Sequence, residues 1–410
     1  MTVTAEKKIT VQKYGGTSVG SIERIKNVAD KIILTYQTSK RVVAVVSAMG
    51  DTTDTLVGLA KGITSKPSPR EYDALLSTGE NVSASLLAMC LIEKGYEAIS
   101  LTGYQAGITT EVLHSRAKIL NIKTGRIMQE LEKDRIVIIT GFQGINNNGD
   151  VTTIGRGGSD TSAVAVAAAL KAGECEIYTD VDGIYTTDPR KVADAKKLNE
   201  ISYDEMLELA SLGAKVLHPR AVECGKENQV VLHVRSSFNN EEGTRVKESS
   251  EMEINKPVTG VTLNEDEAII SLIGVPDKPG SVGYIFNTLA KEGVNVDMII
   301  QNVEQNDSNN VSFSVHRDDL TLASSISQKI ADSIGCSQVI TDDSVAKISA
   351  VGVGMISKPG IAAQMFEALG KENINIKRIT TSEIKISCAI DRKEAKKALA
   401  ILHKEFELHV

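Results

Sequence analysis

The stretch KYGGTSVG, Lys13 to Gly20, decides the reading of the fold. A lysine stands before two adjacent glycines, and two hydroxyl residues follow. Residues 9–12 read as a short strand. Gly15 and Gly16 permit close backbone approach and positive φ. From residue 21 to 34, Ile22, Ile25, Val28, Ala29, Ile32 and Ile33 fall on one helical stripe. Strand, glycine turn and helix in that order form the start of an α/β layer, and they can aim backbone N–H groups at an anion. The spacing is not that of a P-loop, whose lysine follows the second glycine, nor that of G-x-G-x-x-G, since Gly15 and Gly16 are adjacent. The turn is either a phosphate cradle of another fold or a plain strand-to-helix connection.

Composition narrows the class. A chain of 410 residues is long enough for two or three domains. Glycine is abundant at 32 and aromatic residues make up only 4%, which suits an α/β enzyme better than an aromatic binding surface. The net charge of −7 excludes a general attraction to nucleic acid or membrane, so an anionic ligand must be held by local Lys, Arg and helix ends. Cys90, Cys175, Cys224, Cys336 and Cys388 are scattered without a C-x-x-C, as expected of reduced thiols in a cytoplasmic protein. The opening MTVTAEKKIT has no apolar signal core, and no run reaches the ~18 apolar residues of a membrane span.

Apolar strands at 41–49, 135–142, 175–180 and 230–236 alternate with helical stretches such as 74–94 and 160–172. That alternation predicts an α/β domain over residues 1–245, a largely parallel sheet sandwiched by helices. A polar segment interrupts the pattern, giving a linker at 246–257. Beyond it the sequence repeats at an offset of 80: Lys278-Pro279-Gly280 returns as Lys358-Pro359-Gly360, and Phe286, Leu289 and Asn295 return as Phe366, Leu369 and Asn375. Each copy reads strand, KPG turn, helix, strand, strand, helix, a ferredoxin-like β-α-β-β-α-β order. The copies are placed at 258–341 and 342–410. A strand at 258–263 has no evident partner, which leaves open that the copies interleave. Such a pair is either a small-ligand sensor or a dimerisation device.

Four further stretches of the first domain set polar groups beside glycines. SAMGDTTDTL (47–56) offers Ser47, Thr52 and Thr53 after a buried strand, where open α/β sheets bind ligands. LLSTGENVSASLLA (75–88) carries Glu80 in an otherwise apolar helical stretch. TIGRGGSDTSAVAVAAAL (153–170) places Arg156, Gly157, Gly158, Ser159 and Asp160 at a helix start, a site for carboxylate or phosphate. YTDVDGIYTTDPRK (178–191) ends a strand in Asp180 and Asp182, which can ligate Mg²⁺ or hydrogen-bond a nucleotide. GAKVLHPRA (213–221) adds Lys215.

In this order KYGGTSVG, LLSTGE, GRGGSDTSA, YTDVDGIYTTDPR and GAKVLHPRA resemble the aspartate kinases of the amino-acid kinase superfamily. The doubled KPG repeat resembles their tandem ACT regulatory domains. The resemblance implies transfer of the γ-phosphoryl of MgATP to the β-carboxylate of L-aspartate, giving 4-phospho-L-aspartate for lysine, threonine and methionine biosynthesis. A carboxyl of pKa ~4 is already ionised at neutral pH, so no general base is required. Phosphoryl transfer needs positioning and positive charge instead.

The resemblance implies Lys13, Arg156 and Asp160 as catalytic residues. It implies Tyr14, Gly15, Gly16, Thr179, Asp180, Tyr185, Arg190, Lys215 and Val216, with Lys13, around ATP. Ser47, Thr53, Glu80, Gly157, Gly158 and Ser159 join Arg156 around aspartate, Arg156 on its α-carboxylate and Glu80 on its ammonium. Effector residues are implied at Asp277, Gly280, Ser281, Val282, Asn295, Asp297 and Gln301 of the first copy. Those of the second are Met355, Ile361, Ala362, Asn375, Ile376, Thr381 and Ser382. Lysine, threonine or both are the implied effectors, and a homodimer or higher oligomer through the repeats is implied; no protein-held metal site is expected. An internal start at Met252 would give a separate regulatory subunit. A glutamate 5-kinase-like acyl-phosphate kinase and a non-catalytic amino-acid sensor are the competing readings. Glu80 and Arg156 argue for an α-amino acid and the tandem ACT-like repeat for aspartate, while the intact Lys13, Arg156 and Asp160 argue against a sensor.

Overall fold

The computed structural model describes residues 8–214, 216–248, 257–303 and 308–410. Lys215, Met252 and most of the expected linker lie outside these residues. The chain divides into two compact units. The first comprises Met1–Ile184, Lys197–Ser211 and Lys215–Ser250; the second comprises Tyr185–Lys196, Leu212–Ala214 and Glu251–Val410. Two short pieces of the expected catalytic domain therefore belong with the C-terminal unit, for a reason visible in their partners. Thr186 accepts from the Val261 N–H (2.8 Å), and its Oγ1 lies 3.0 Å from His403 Nε2. Val192 packs against the core that holds Ile348 and Leu399.

The first unit is built on an eight-stranded sheet. Its order is Glu200–Ser202, Thr244–Lys247, Val231–Ser236, Glu174–Thr179, Thr10–Tyr14, Val42–Val46, Ile136–Thr140, Ala98–Leu101. Every pair is parallel except that between Val231–Ser236 and Thr244–Lys247. The apolar runs read as strands are buried on both faces, as a covered parallel sheet requires. Val42, Ala44 and Val46 pack against Ile25, Ala29 and Ile32 of helix Ile22–Ser39, and against Leu87 and Leu91 of helix Thr78–Glu93. Tyr14 points into this core, so its neighbour Lys13 points to the opposite face, which helix Gly158–Ala169 covers.

Helix Ile22–Ser39 starts where its Ser21 cap accepts from the Arg24 N–H (3.2 Å), and ends at Lys40 with φ 61°. The stretch Pro69–Glu93 is long and apolar enough to cross a membrane by length and composition. Half of that window is buried within the protein, because it lies on the sheet. A second, four-stranded sheet joins Ile119–Ile122, Ile108–Thr110, Gln143–Ile145 and Val151–Thr153. It was not expected, since strands of three or four residues are too short to show a period.

In the second unit the repeats form two four-stranded sheets. The first has the order Asp297–Val303, Ser308–His316, Glu267–Pro276, Gln338–Asp342, and helices Ser281–Lys291 and Leu320–Ile334 pack on it. The second has the order Gly260–Asn264, Val345–Val351, Lys385–Asp391, Ile376–Thr381, with helices Ile361–Lys371 and Ala395–Glu405. Both are ferredoxin-like and antiparallel. Gly260–Asn264, expected to open the first copy, pairs instead with Val345–Val351 and completes the second sheet (Val261 opposite Ala350). It takes the position that Gln338–Asp342 holds in the first sheet, so the first module is an insertion between two parts of the second. The modules meet through Ile269 and Met298 against Val345 and Ala389.

Candidate active site

Parallel strands that end at one edge bring their following loops together. Strand Thr10–Tyr14 lies between Val42–Val46 and Glu174–Thr179. Beyond their ends the Gly15 N–H donates to Tyr178 O (3.3 Å), Ser47 N–H to Tyr14 O (3.0 Å) and Gly50 N–H to Gly16 O (3.0 Å). The KYGG turn is thereby fixed between the loops that follow both neighbours. A Cβ on Gly16 would stand 3.0 Å from Ala48 O, and one on Gly15 would stand 3.2 Å from Lys13 Nζ. The glycines let the backbone approach its neighbours and leave bare main chain beside the ammonium.

Lys13 Nζ lies 2.6 Å from Asp160 Oδ1, with side chains only 10% and 13% exposed. Asp160 stands in the first turn of helix Gly158–Ala169, whose cap Gly157 has φ 68°. An ammonium and a helix N-terminus facing the same space favour an anion there. Arg156 is exposed on the turn before that helix and makes no hydrogen bond or ion pair among the described residues. Ser159 is buried, whereas Ser47 and Thr53 are half-buried in and after the loop at 47–52.

Glu80 is 3% exposed in the first turn of helix Thr78–Glu93. Its Oε1 accepts from the Ala48 N–H (3.2 Å), and its Oε2 has no partner among the described residues. Burial pushes its carboxyl up to about 7. A buried carboxylate with one unmet oxygen is costly by itself and is relieved by a cation or donor that comes to it.

Along the adjacent strand end, Thr179 Oγ1 donates to Asp180 Oδ1 (3.0 Å), and Asp182 pairs with Lys197 (3.4 Å). Mg²⁺ prefers oxygen ligands, keeps several waters and binds through one or two carboxylates plus phosphates. Asp180 fits that donor set at the strand end. Val216 is half-buried in the first unit; Tyr185 and Arg190 belong to the second, where Arg190 pairs with Asp188 (2.9 Å). The ring of Tyr14 is fully buried, stacked on Tyr178 with centroids 4.8 Å apart, and its hydroxyl donates to Gln12 Oε1 (3.1 Å). Strand alternation turns it into the core, so only its main chain borders the turn. Glu174, Glu176 and His233 are close enough together to hold a cation. The carboxylate of Glu176, however, is engaged by Gln12 (2.7 Å) and Arg235 (3.0 Å).

Three residues that bear on this site were not read from the sequence: Asp73, His218 and Arg220. Asp73 is fully buried, and its carboxylate accepts from the Ser115 N–H (2.9 Å), Thr153 N–H (3.0 Å) and Thr153 Oγ1 (2.7 Å). His218 caps helix Pro219–Asn228, its Nδ1 accepting from the Arg220 N–H (3.3 Å). A histidine directly before a proline was a readable helix start.

In the second unit Gly280 and Gly360 take the same φ of 97° at the starts of helices Ser281–Lys291 and Ile361–Lys371, so the KPG turns are conformational copies. Ser281 and Val282 lie in the first turn, and Asp277 accepts from Asn309 Nδ2 (3.0 Å). Asn295, Asp297 and Gln301 lie on or beside one edge strand, and Asn375, Ile376, Thr381 and Ser382 on or beside its counterpart. Ile361 is buried in the module core, with Met355 and Ala362 packed against it, so its side chain holds the fold. Asp297 accepts from Lys347 Nζ (2.5 Å), a buried lysine that also pairs with Glu267 (2.6 Å). Burial raises the Asp297 carboxyl, but the Lys347 ammonium prevails and holds it below the usual carboxylate value. A cavity of about 390 Å³ lies between the modules, lined by Ser271 and Asp342 on one side and by Asn375, Ile376, Lys377 and Arg378 on the other.

Comparison with known proteins identifies the two parts of the chain. Residues 8–236 match the amino acid kinase family, and residues 270–326 and 348–406 match the ACT domain. An aspartokinase of Geobacillus stearothermophilus is 54% identical over 400 residues, covering 98% of this chain and 97% of its own. Aspartokinase 2 of Bacillus subtilis is 51% identical, with 98% of each chain covered. Among solved structures, E. coli aspartokinase III in complex with aspartate and ADP superposes with a TM-score of 0.79 at 25% identity, covering 97% of this chain and 99% of that one. Its complex with lysine and aspartate gives 0.77 at 26%, with the same coverage. Aspartate kinase from Synechocystis is 46% identical with a TM-score of 0.55, covering 97% of this chain and 69% of that one.

Proposed function

The chain belongs to the aspartokinases of the amino acid kinase family, and on that premise we propose that it transfers the γ-phosphoryl of MgATP to the β-carboxylate of L-aspartate, releasing 4-phospho-L-aspartate and ADP. An ATP-dependent kinase with tandem ACT domains is what the family provides. The finer assignments follow the family resemblance and are supported, where stated, by the chemistry of this chain's own residues.

The observation that carries the reading is the unmet Oε2 of Glu80. A buried carboxylate that lacks a partner suits the ammonium of an α-amino acid. Arg156, unengaged among the described residues, offers a planar fork for the α-carboxylate. Ser47, Thr53, Gly157, Gly158 and Ser159 complete that subsite. The β-carboxylate, ionised at neutral pH, attacks the γ-phosphorus without a base. Lys13, held by Asp160, stabilises the charge of the transferring group, and Gly15, Gly16 and Lys215 approach the phosphates. Thr179, Asp180, Tyr185, Arg190, Val216 and the main chain of Tyr14 serve the nucleotide. Asp180 would hold Mg²⁺, which supplies further charge neutralisation when bound.

The catalytic part is assigned to residues 1–245 and the regulatory modules to 258–341 and 342–410, with Gly260–Asn264 contributed to the second sheet. The proposed reaction is the first step towards lysine, threonine and methionine, and the family resemblance supports a cytoplasmic homodimer or higher oligomer joined through the modules. Lysine or threonine is the proposed feedback effector; the E. coli relative that binds lysine supports this choice. The test is ADP release with L-aspartate against L-glutamate. Faster turnover of glutamate overturns the substrate assignment.

A further inference from the structure

Arg156 sits on a turn whose neighbours Gly155 and Gly157 have φ of 88° and 68°. Left-handed glycines give such a turn freedom, and a substrate fork needs a fixed position. The structure shows what removes that freedom. Arg220 Nη1 donates to Ile154 O (2.5 Å), and Nη2 donates to Ala117 O (3.1 Å). One guanidinium therefore ties the residue two before Arg156 to the segment at 115–117. That segment lies on the other side of the turn, where a Cβ on Gly155 would stand 3.0 Å from Ser115 O. The Ala117 N–H donates back to Thr153 O (2.9 Å). On the far side of Arg156, the His218 ring is seated on Gly157, where a Cβ would fall 2.1 Å from His218 Cγ. His218 is fixed in turn by its own cap bond to the Arg220 N–H.

We propose that His218-Pro219-Arg220 is a positioning clamp for Arg156, setting affinity for the acceptor's α-carboxylate without touching it. The inference rests on the reading of Arg156 as the carboxylate fork. Arg220 fixes the turn by bridging two carbonyls that no single ammonium could bridge in the same plane. His218 fixes it by steric contact, and Pro219 ties the two into one rigid helix start. The clamp's hydrogen bonds and ring contact converge on the turn at 154–157 and the segment at 115–117; the His218 ring also feels the charge of Asp160, so Arg220 is the cleaner probe of the acceptor subsite.

The test compares Arg220→Lys, His218→Asn and Arg156→Lys, singly and as the double variant Arg156→Lys/Arg220→Lys, in the full chain. Asparagine keeps a helix-capping acceptor and removes the ring, so His218→Asn remains informative where Arg220→Lys fails to fold. Each clamp variant is expected to raise KM for aspartate about fivefold or more, because ångström-scale misplacement of a substrate clamp is costly. KM for ATP should change less than about twofold in the same variants, since the clamp serves one subsite. In the double variant, Arg220→Lys should add little to Arg156→Lys, because it acts through that residue. Equal rises in KM for both substrates, or additive effects in the double variant, overturn the clamp alone. An unchanged aspartate KM in Arg156→Lys overturns the carboxylate-fork reading, and the clamp with it.

Discussion

Lys13 Nζ stands 2.6 Å from Asp160 Oδ1, joining the end of a central strand to the first turn of the helix that covers it. Asp160 holds the ammonium in one place, and a fixed cation stabilises developing charge without having to reorganise. Lys13→Ala should therefore lower kcat by roughly 10²–10³, the scale of losing one electrostatic stabiliser. Circular dichroism should show a folded protein. A variant that keeps more than half of wild-type kcat would exclude this role for Lys13.

Arg156→Lys retains charge and loses the planar fork. KM for aspartate is expected to rise about tenfold, the scale of losing one charge-assisted contact, with KM for ATP nearly constant. Steady-state kinetics against each substrate decide it, and parallel rises would show that Arg156 serves the nucleotide instead.

Glu80 makes a prediction about pH. Its carboxyl keeps a proton up to about 7 in the folded chain, against 4.5 as the ordinary value. Folding thus favours the protonated form. The resulting stability is present in full below the ordinary value and is lost as pH rises towards 7. Glu80→Gln has no such loss. Its apo melting temperature should match wild type near pH 4–5 and exceed it at pH 8. If Glu80 receives the aspartate ammonium as proposed, binding requires its ionised form, so the wild-type aspartate KM should rise as pH falls below 7, and this dependence should vanish in Glu80→Gln. A pH-independent difference in melting temperature would remove Glu80 from this account.

Asp297 is engaged by Lys347, so an effector ammonium that reaches it must compete with a buried lysine. Asp297→Ala should weaken inhibition by lysine or threonine several-fold, while uninhibited kcat changes less than about threefold, since feedback couplings run to ~1–3 kcal/mol. Inhibition that survives unchanged in both Asp297→Ala and Asn375→Ala would move the effector elsewhere. A wild type that responds to neither amino acid would make the repeats a dimerisation device.

Much of the catalytic unit was legible because its signals are local. Buried parallel strands read as apolar runs, and the glycines of KYGG and GRGG mark close approaches that a Cβ would block. Flanking residues were less legible. Tyr14 adjoins Lys13 in sequence, yet strand alternation sends it to the opposite face. His218 and Arg220 lie more than 60 residues from the turn they hold, as the Arg220 bond to Ile154 shows, and no pattern in one sequence records that contact. In the regulatory half the repeat was plain. The partner of Gly260–Asn264 was not, since an isolated strand carries no sign of which copy it joins.

That exchanged strand has a consequence for the order of events at the ribosome. Gly260 pairs with Val351, and every strand of the first module lies in the chain between them. At about 5–20 residues per second, the segment 260–264 emerges roughly 5–20 s before its partner. Through that interval its backbone edge has no native strand to bind, while the whole insertion can complete its own sheet. A nascent chain paused after Gln338–Asp342 has emerged from the ribosome but before Val345–Val351 has emerged would carry one finished module and one β-prone segment without its partner strand. Between those two moments the segment 260–264 is a strand edge open to capture by a second copy or by a chaperone.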